Sequence, residues 1–301
     1  MNGMRMAARF SFVSWLRGMG VGWRLGMGWM MVPVASLAAT PLPASVDAAL
    51  QRAQVPREAL SVVVMPAQDP ARVPVLSHRA DAVVNPASLM KLVTTSVALD
   101  QLGPAFTWST PVFIDGAVRD GTLQGNVYLR GQGDPRLGGE RLWLLLRRLQ
   151  GLGIQRIEGD IVLDRSAFDV PLRDPGSFDG EPLRPYNASP DALLINFKSV
   201  LMHFVPDRTA QVAHVHVEPP LAGVQFPSTV PLSAGECLDY RASLRLDWQD
   251  PTRPRLAGHY PAACGERLWP LAHPDGSRFA ARAVEGVWQQ LGGQLRGTVR
   301  D

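Results

Sequence analysis

The chain has 301 residues and is 46% hydrophobic, which is enough to bury a sizeable core and excludes a disordered protein. Its formal net charge is only +3, and its basic residues are scattered arginines with no run of five or more, so nucleic-acid binding is not expected. The length suggests one large or two modest domains.

The first 38 residues have the pattern of an export signal. Basic residues precede the apolar stretch LGMGWMMVPVASLAA, which ends in small residues around Ser36 and Ala38. We therefore predict a signal peptide over residues 1–38 and a periplasmic mature protein. A permanent anchor helix is the alternative, although the stretch is shorter than the ~20 apolar residues that a span needs. Peripheral association of the mature protein with the inner membrane is left open. The basic residues are Arg5, Arg9, Arg17 and Arg24.

The first elements after the signal are a helix and a hairpin. Residues 45–54 have apolar side chains at helical spacing, and LSVVVMPA (60–67) and VPVLSHR (73–79) read as two strands around a turn. A second helix follows, with Asn85 as N-cap and Pro86 in its first turn. Gly103 and Pro104 close it. We expect its buried stripe to be Leu89, Val93 and Val97.

From residue 104 the sequence pattern changes to short β-rich runs, including SLRLDW (243–248), that are separated by Gly, Pro and Asp. One helix is predicted within them at 139–153 and another near the end at 278–293, with Ala281, Val284, Val287 and Leu291 on one side. We therefore predict a mainly β insertion between two segments of mixed helix and strand. The predicted segments are 1–38 (signal), 39–103 (first domain), 104–265 (insertion) and 266–301 (return to the first domain).

The two cysteines, Cys237 and Cys264, would enter an oxidising compartment if the chain is exported. A bridge between them would close a loop of 28 residues and contribute ~3 kcal/mol by restricting the unfolded chain. Neither has the C-x-x-C spacing of a redox or zinc site. We favour a structural disulfide over two free thiols.

The stretch NPASLMKLVTT (85–95) contains a pair suited to nucleophilic catalysis. Ser88 and Lys91 are three residues apart at a helix start, so their side chains share one face. A lysine can accept a proton only when it is neutral, and both partial burial and the positive end of a helix favour the neutral form. Arginine cannot do this, and the chain has 28 arginines but only 2 lysines.

An ordinary surface lysine that happens to follow a serine is the alternative. Seventeen serines and two lysines give about 0.1 chance matches to S-x-x-K in this length. No Asp or Glu stands three or four residues from Lys91 to form a common helical ion pair. We favour a nucleophile, Ser88, with its general base, Lys91.

The chain resembles the class C low-molecular-mass penicillin-binding proteins, the D-alanyl-D-alanine carboxypeptidase/endopeptidases of bacterial cell walls. The resemblance runs from about residue 45 to the end and combines S-x-x-K at a helix start with three further stretches. It implies an α/β fold of α+β texture, in which a β-lactamase/transpeptidase-like domain is interrupted by β-rich inserted domains. The three stretches are GTLQGNVYLRGQGDPRLG (121–138), GIQRIEGDIVLDRSAFD (153–169) and RPYNASPDALLINFKSV (184–200).

The resemblance also implies roles for particular residues. Ser88 would be the acylated nucleophile, with its backbone N–H as one oxyanion donor, and Lys91 its base. Peptidoglycan stem peptides would be the substrates, β-lactams the inhibitors, and no cofactor would be needed. An acidic residue of the insertion binds the amino end of the stem peptide's diamino acid in the family. Asp179 or Glu181 would take that role here, unless both are solvated turn carboxylates.

The sequence departs from the family at two motifs. The family has S-x-N and then K-T-G downstream, but no Asn follows Asn196 and no Lys follows Lys198. We therefore expect these 301 residues to be the front of a family member, with an incomplete catalytic domain. A non-catalytic wall-binding protein, a decayed family member and a serine esterase remain the alternatives.

Two weaker signals complete the reading. His214 and His216 lie on one strand face and could ligate a metal, but no third ligand is identifiable, so no metal site is expected. Lys198 has no motif partner and receives no role. The oligomeric state is left open.

Overall fold

A computed structural model describes residues 41–68, 73–171 and 173–301, so the predicted signal peptide lies outside the described residues. The chain divides into two compact units, Met1–Ala98 and Leu99–Asp301. Within the described residues, no helix combines the length and apolar character that crossing a bilayer requires.

The first unit contains a helix, a hairpin and the start of a second helix. The predicted strands form an antiparallel pair in which Val63 lies opposite Ser77. Short 3-10 turns lie at Arg57–Ala59 and Ala87–Leu89. The predictions of these elements are confirmed. The elements are α1 (Ala44–Arg52), β1 (Val62–Val64), β2 (Leu76–His78) and α2 (Met90–Leu102), and α2 continues past the unit boundary.

The prediction of a buried stripe on α2 is wrong. Leu89, Val93 and Val97 are 67, 57 and 54% exposed, and α2 contains no buried residue. The four-residue spacing marks a face that is able to pack, but burial also requires a partner surface. The described residues supply none to this face.

The second unit contains most of the strands, as predicted for the β-rich insertion. Two four-stranded sheets have the orders β16-β7-β5-β4 and β17-β8-β6-β3. A five-stranded sheet has the order β14-β11-β10-β9-β15, and β12 pairs with β13. The strands are β3 (Val112–Ile114), β4 (Val118–Arg119), β5 (Thr122–Leu123), β6 (Val127–Arg130), β7 (Arg156–Ile157), β8 (Ile161–Asp164), β9 (Ser199–Asp207), β10 (Val212–Glu218), β11 (Thr229–Ser233), β12 (Leu246–Asp247), β13 (Arg255–Leu256), β14 (Tyr260–Pro261), β15 (Arg267–Ala272), β16 (Gln294–Leu295) and β17 (Val299–Arg300).

The core of the second unit lies between these sheets and two amphipathic helices. Alternate residues of β6 and β8 point inward, which follows from the two-residue period of a strand. The helices α3 (Gly139–Gly151) and α5 (Gly276–Gln290) confirm the two helical predictions and bury one face each. The largest fully buried side chains include Phe204, Tyr260, Phe279 and Trp288.

The last 36 residues belong to the same compact unit as the insertion. β15 pairs with β9, and α5 packs into the core. β16 and β17 lie parallel to β7 and β8. The segment 266–301, which we assigned from sequence to the first domain, is therefore integrated with the strands of 104–265 in the structure.

One β prediction is wrong in part. SLRLDW begins inside a short helix, α4 (Tyr240–Leu244), and only β12 is extended. The Asp239 carboxylate accepts hydrogen bonds from the N–H groups of Arg241 and Ala242, so it caps a helical turn that the alternating pattern did not show.

The structure joins Cys237 and Cys264 in a disulfide. Cys264 is 3% exposed and belongs to the core cluster, and Cys237 packs against that cluster. The bridge thus ties the loop before α4 to the chain after β14.

Candidate active site

Ser88 and Lys91 lie at the junction between the 3-10 turn Ala87–Leu89 and the first turn of α2. The side chain of Asn85 accepts a hydrogen bond from the Ala87 N–H at 2.9 Å, so it satisfies one of the free donors at the helix start. Helical spacing then brings residues 88 and 91 to the same face.

The Lys91 Nζ donates a hydrogen bond to the Ser88 Oγ at 3.0 Å. This distance suits transfer of the hydroxyl proton to the amine, because a general base must lie within hydrogen-bond reach of the proton that it takes. When the amine is neutral, the same two atoms form the bond with the hydroxyl as donor. The pair therefore has the geometry of a nucleophile and its base.

The environment of the pair differs from the expectation. Both Ser88 and Lys91 are exposed, so the described residues do not supply the partial burial that we expected for this pair. The position at a helix start is present as predicted.

Asp179 and Glu181 lie in the second unit, on an exposed turn that we define as the acidic turn, residues 178–187. Asp179 is fully engaged by this turn: it accepts hydrogen bonds from the Tyr186 hydroxyl at 2.8 Å, the Asn187 side-chain amide at 2.8 Å and the Glu181 N–H at 3.0 Å. The hydrogen bond from Tyr186 is the main reason that the pKa of Asp179 lies below its ordinary value. Asp179 is therefore the structural carboxylate of the turn.

Glu181 is the carboxylate that is open to a ligand. Its side chain is 58% exposed and has Arg184 at 3.5 Å as an ion partner. Such an exposed pair contributes little and is readily exchanged for another cation. The two acidic candidates are thus not equivalent, which the sequence alone did not show.

Two aromatic side chains beside Glu181 were missed at the sequence level. Phe178 is 82% exposed and Tyr186 is 67% exposed, so the acidic turn presents apolar surface as well as the Glu181 carboxylate. Large exposed aromatics close to a charged group are a frequent feature of recognition surfaces. In the sequence, these two aromatic residues flank Asp179 and Glu181, and this pattern could have indicated a recognition surface.

The two candidate histidines have separate neighbours in the structure. His214 lies 3.7 Å from Asp207, whereas the ring of His216 lies 6.4 Å from that of His203 on the neighbouring strand. No group of three or more His, Cys, Asp or Glu residues suited to a metal ion occurs in the part of the chain that the structure describes.

The fold has a counterpart among solved structures. The structure is similar to the crystal structure of penicillin binding protein 4 (dacB) from Haemophilus influenzae, with a TM-score of 0.55 and 23% sequence identity. The match covers 75% of this chain and 50% of that one. The fold is therefore the mixed α/β, transpeptidase-like fold of a penicillin-binding protein, as predicted.

The profile of the D-Ala-D-Ala carboxypeptidase 3 (S13) family matches residues 42–301. The chain belongs to this family, and the resemblance stated from sequence is confirmed.

Two curated relatives agree with this assignment. The D-alanyl-D-alanine carboxypeptidase DacB of H. influenzae is 34% identical over 110 residues, which is 36% of this chain and 23% of the relative. A D-alanyl-D-alanine carboxypeptidase of Actinomadura sp. strain R39 is 38% identical over 85 residues, which is 28% of this chain and 16% of the relative. The matched regions thus span less than a quarter of the length of either relative.

Proposed function

We propose that the protein is a serine-type D-Ala-D-Ala carboxypeptidase/endopeptidase that acts on peptidoglycan stem peptides through an acyl-enzyme. The observation that carries the proposal is the hydrogen bond between Lys91 Nζ and Ser88 Oγ, in a chain that belongs to the S13 family. The relatives named as D-alanyl-D-alanine carboxypeptidases support the reaction class.

In the proposed reaction, Lys91 takes the hydroxyl proton as the Ser88 Oγ attacks the carbonyl carbon of the D-Ala-D-Ala amide. The proton then passes to the leaving amine, the C–N bond breaks, and the acyl group stays on Ser88 as an ester. The Lys91 amine then deprotonates a water molecule, which hydrolyses the ester. The proton returns to the Ser88 Oγ and restores the serine. The backbone N–H of Ser88 is one donor to the developing oxyanion.

Glu181 binds the substrate in this proposal. The ammonium group of the stem peptide's diamino acid replaces Arg184 as the ion partner of the exposed carboxylate. Asp179 maintains the shape of the turn through its three hydrogen bonds. The periplasm, where peptidoglycan lies, is the proposed location, and β-lactams, which mimic the D-Ala-D-Ala amide, are the proposed inhibitors.

Labelling with penicillin tests the proposal. The product of the gene is incubated with a fluorescent penicillin, and the modified peptide is identified by mass spectrometry. We expect a covalent adduct on Ser88 that disappears in Ser88→Ala. Ser109→Ala is the matched control. It should be labelled as strongly as the unaltered protein, because loss of a serine elsewhere should have no effect. Equal labelling of Ser88→Ala would rule out the proposed nucleophile.

A non-catalytic protein that binds stem peptides is the second candidate. It is favoured by one observation: Glu181, the carboxylate that is open to a ligand, does not depend on the serine–lysine pair to bind an ammonium group. This candidate predicts binding of stem peptides without penicillin labelling and without release of D-Ala. The same labelling experiment separates the two functions.

A further inference from the structure

Lys198, the second of the two lysines, is buried and has no part in the proposed reaction. It is 8% exposed, and its Nζ lies 3.0 Å from the Asp191 Oδ2. The Nη1 of Arg165 lies 3.1 Å from the same oxygen. We call Arg165, Asp191 and Lys198 the ion clamp, and their side chains are 21, 4 and 10% exposed.

The ion clamp joins the two ends of one long loop. Arg165 directly follows β8 and Asp191 closes the loop, so residues 166–190 lie between them. Apart from the 3-10 turn Pro185–Asn187, the described residues of this loop form no helix or strand. Loops of this length without secondary structure are uncommon in compact domains and usually carry function. This loop carries the acidic turn.

The loop is held by its two ends and by packing of Leu183 against the core. Many of its hydrogen bonds are local, as in the bond from the Ser189 hydroxyl to the Arg173 carbonyl at 3.4 Å. The Ala272 N–H donates to the Leu183 carbonyl at 2.8 Å and ties the acidic turn to the end of β15. The position of the turn therefore depends both on Leu183 and on how firmly the two ends of the loop are fixed.

Lys198 reaches the ion clamp from an unfavourable backbone. Asn196, Phe197 and Lys198 have φ angles of 43, 54 and 50°, which are in the left-handed region that side chains disfavour. The Asn196 amide braces this turn by donating to the Ser199 carbonyl at 2.7 Å and accepting from the Gly139 N–H at 3.2 Å. The turn directs Lys198 inward and leaves Phe197 52% exposed.

The location is also electrostatically unfavourable for a cation. A Cβ on Gly276, the first residue of α5, would lie 3.5 Å from the Lys198 Cδ, so the lysine stem passes the positive end of that helix. The contact that compensates the ammonium group is the one with Asp191. Loss of Lys198 would leave Arg165, which also pairs with Asp301 at 3.0 Å, as the remaining ion partner of Asp191, so the fixing of Asp191 would depend on one cation in place of two.

We propose that Lys198 is a positioning residue for substrate recognition. By holding Asp191 together with Arg165, it fixes both ends of the loop and so sets Glu181 on the acidic turn for the ammonium group of the substrate. This inference rests on the proposed function, because it assumes that Glu181 binds that group.

Two variants separate the charge of Lys198 from its bulk. Lys198→Met keeps the apolar stem and removes the charge, whereas Lys198→Arg keeps a cation near Asp191. Arg147→Met, on the exposed face of α3, is the matched control for loss of one positive charge.

Hydrogen–deuterium exchange measures the loop independently of catalysis. We expect amide exchange over residues 173–190 to accelerate about tenfold or more in Lys198→Met, while exchange in β9 and β10 stays unchanged. Lys198→Arg should retain most of the protection, and Arg147→Met all of it. Unchanged loop exchange in Lys198→Met would overturn the proposal, whatever the enzyme does.

Kinetics then measure recognition. Two peptides ending in D-Ala-D-Ala are compared, one with a free side-chain ammonium and one with that amine acetylated. We expect Lys198→Met to raise the KM for the free amine about tenfold, with kcat and the acetylated peptide little changed. The rate of Ser88 acylation by benzylpenicillin should stay within about twofold of the unaltered protein.

Equal losses with both peptides and with benzylpenicillin, together with a lower melting temperature, would show a general structural role and overturn the proposal. Failure of the unaltered protein to react with benzylpenicillin would instead contradict the proposed function. That result is distinguishable because it does not depend on Lys198.

Discussion

The disulfide between Cys237 and Cys264 makes a quantitative prediction about stability. The two residues are 27 positions apart. The chain-entropy relation for a loop of this length gives a stabilisation of about 3.5 kcal/mol, because the bridge removes conformations that only the unfolded chain has. Reduction changes no side-chain volume elsewhere, so it measures this contribution directly.

The assay is urea unfolding followed by tryptophan fluorescence, with and without dithiothreitol. We expect reduction to lower the free energy of unfolding by about 3.5 kcal/mol, which moves the urea midpoint by roughly 1–2 M. The double variant Cys237→Ala/Cys264→Ala should unfold near the reduced midpoint and show no response to the reductant. Identical midpoints for the oxidised and reduced protein, or two free thiols in the unreduced protein, would refute the reasoning.

Three further predictions concern the core, the pH dependence and the acidic turn. Phe279→Ala removes a fully buried ring and should lower the free energy of unfolding in urea by about 3–5 kcal/mol. Phe178→Ala removes an 82% exposed ring and should change it by less than about 0.5 kcal/mol. Similar losses in the two variants would contradict the assigned core. Burial lowers the pKa of His273, so the unfolded chain binds a proton at a higher pH than the folded protein does. The free energy of unfolding should therefore fall as the pH drops below about 6.5. The same dependence on pH in His273→Gln would contradict this. Glu181→Gln should abolish the preference for a peptide with a free ammonium group while leaving the turn intact. Asp179→Asn should increase proteolysis of the turn. The reverse pattern would exchange the two roles.

The helices and the serine–lysine pair could be predicted from the sequence because both depend on local spacing. Amphipathic periodicity located α3 and α5, and the interval of three residues was enough to place Ser88 and Lys91 on one face. The family could be recognised because S-x-x-K occurred together with three stretches of the insertion.

What could not be predicted depends on contacts between distant residues. The exposure of Val93 on α2 is set by the surfaces that surround the helix, about which its own pattern carries no information. Lys198 meets Asp191 through a turn of three left-handed residues, Asn196 to Lys198, which residue spacing does not predict, and Arg165 joins them from 26 positions before Asp191. The difference between Asp179 and Glu181 likewise arises from Tyr186 and not from the acidic pair itself.

The central claim is that the side chain of residue 91 acts as a base and not merely as a positive charge. The most direct test is the rate at which benzylpenicillin acylates Ser88 in Lys91→Arg, followed by intact-protein mass spectrometry from pH 6 to pH 10. Arginine keeps the charge but does not release its proton, so we predict a loss of about 10²–10⁴-fold across this range. Acylation of Lys91→Arg at the rate of the unaltered protein would contradict the account.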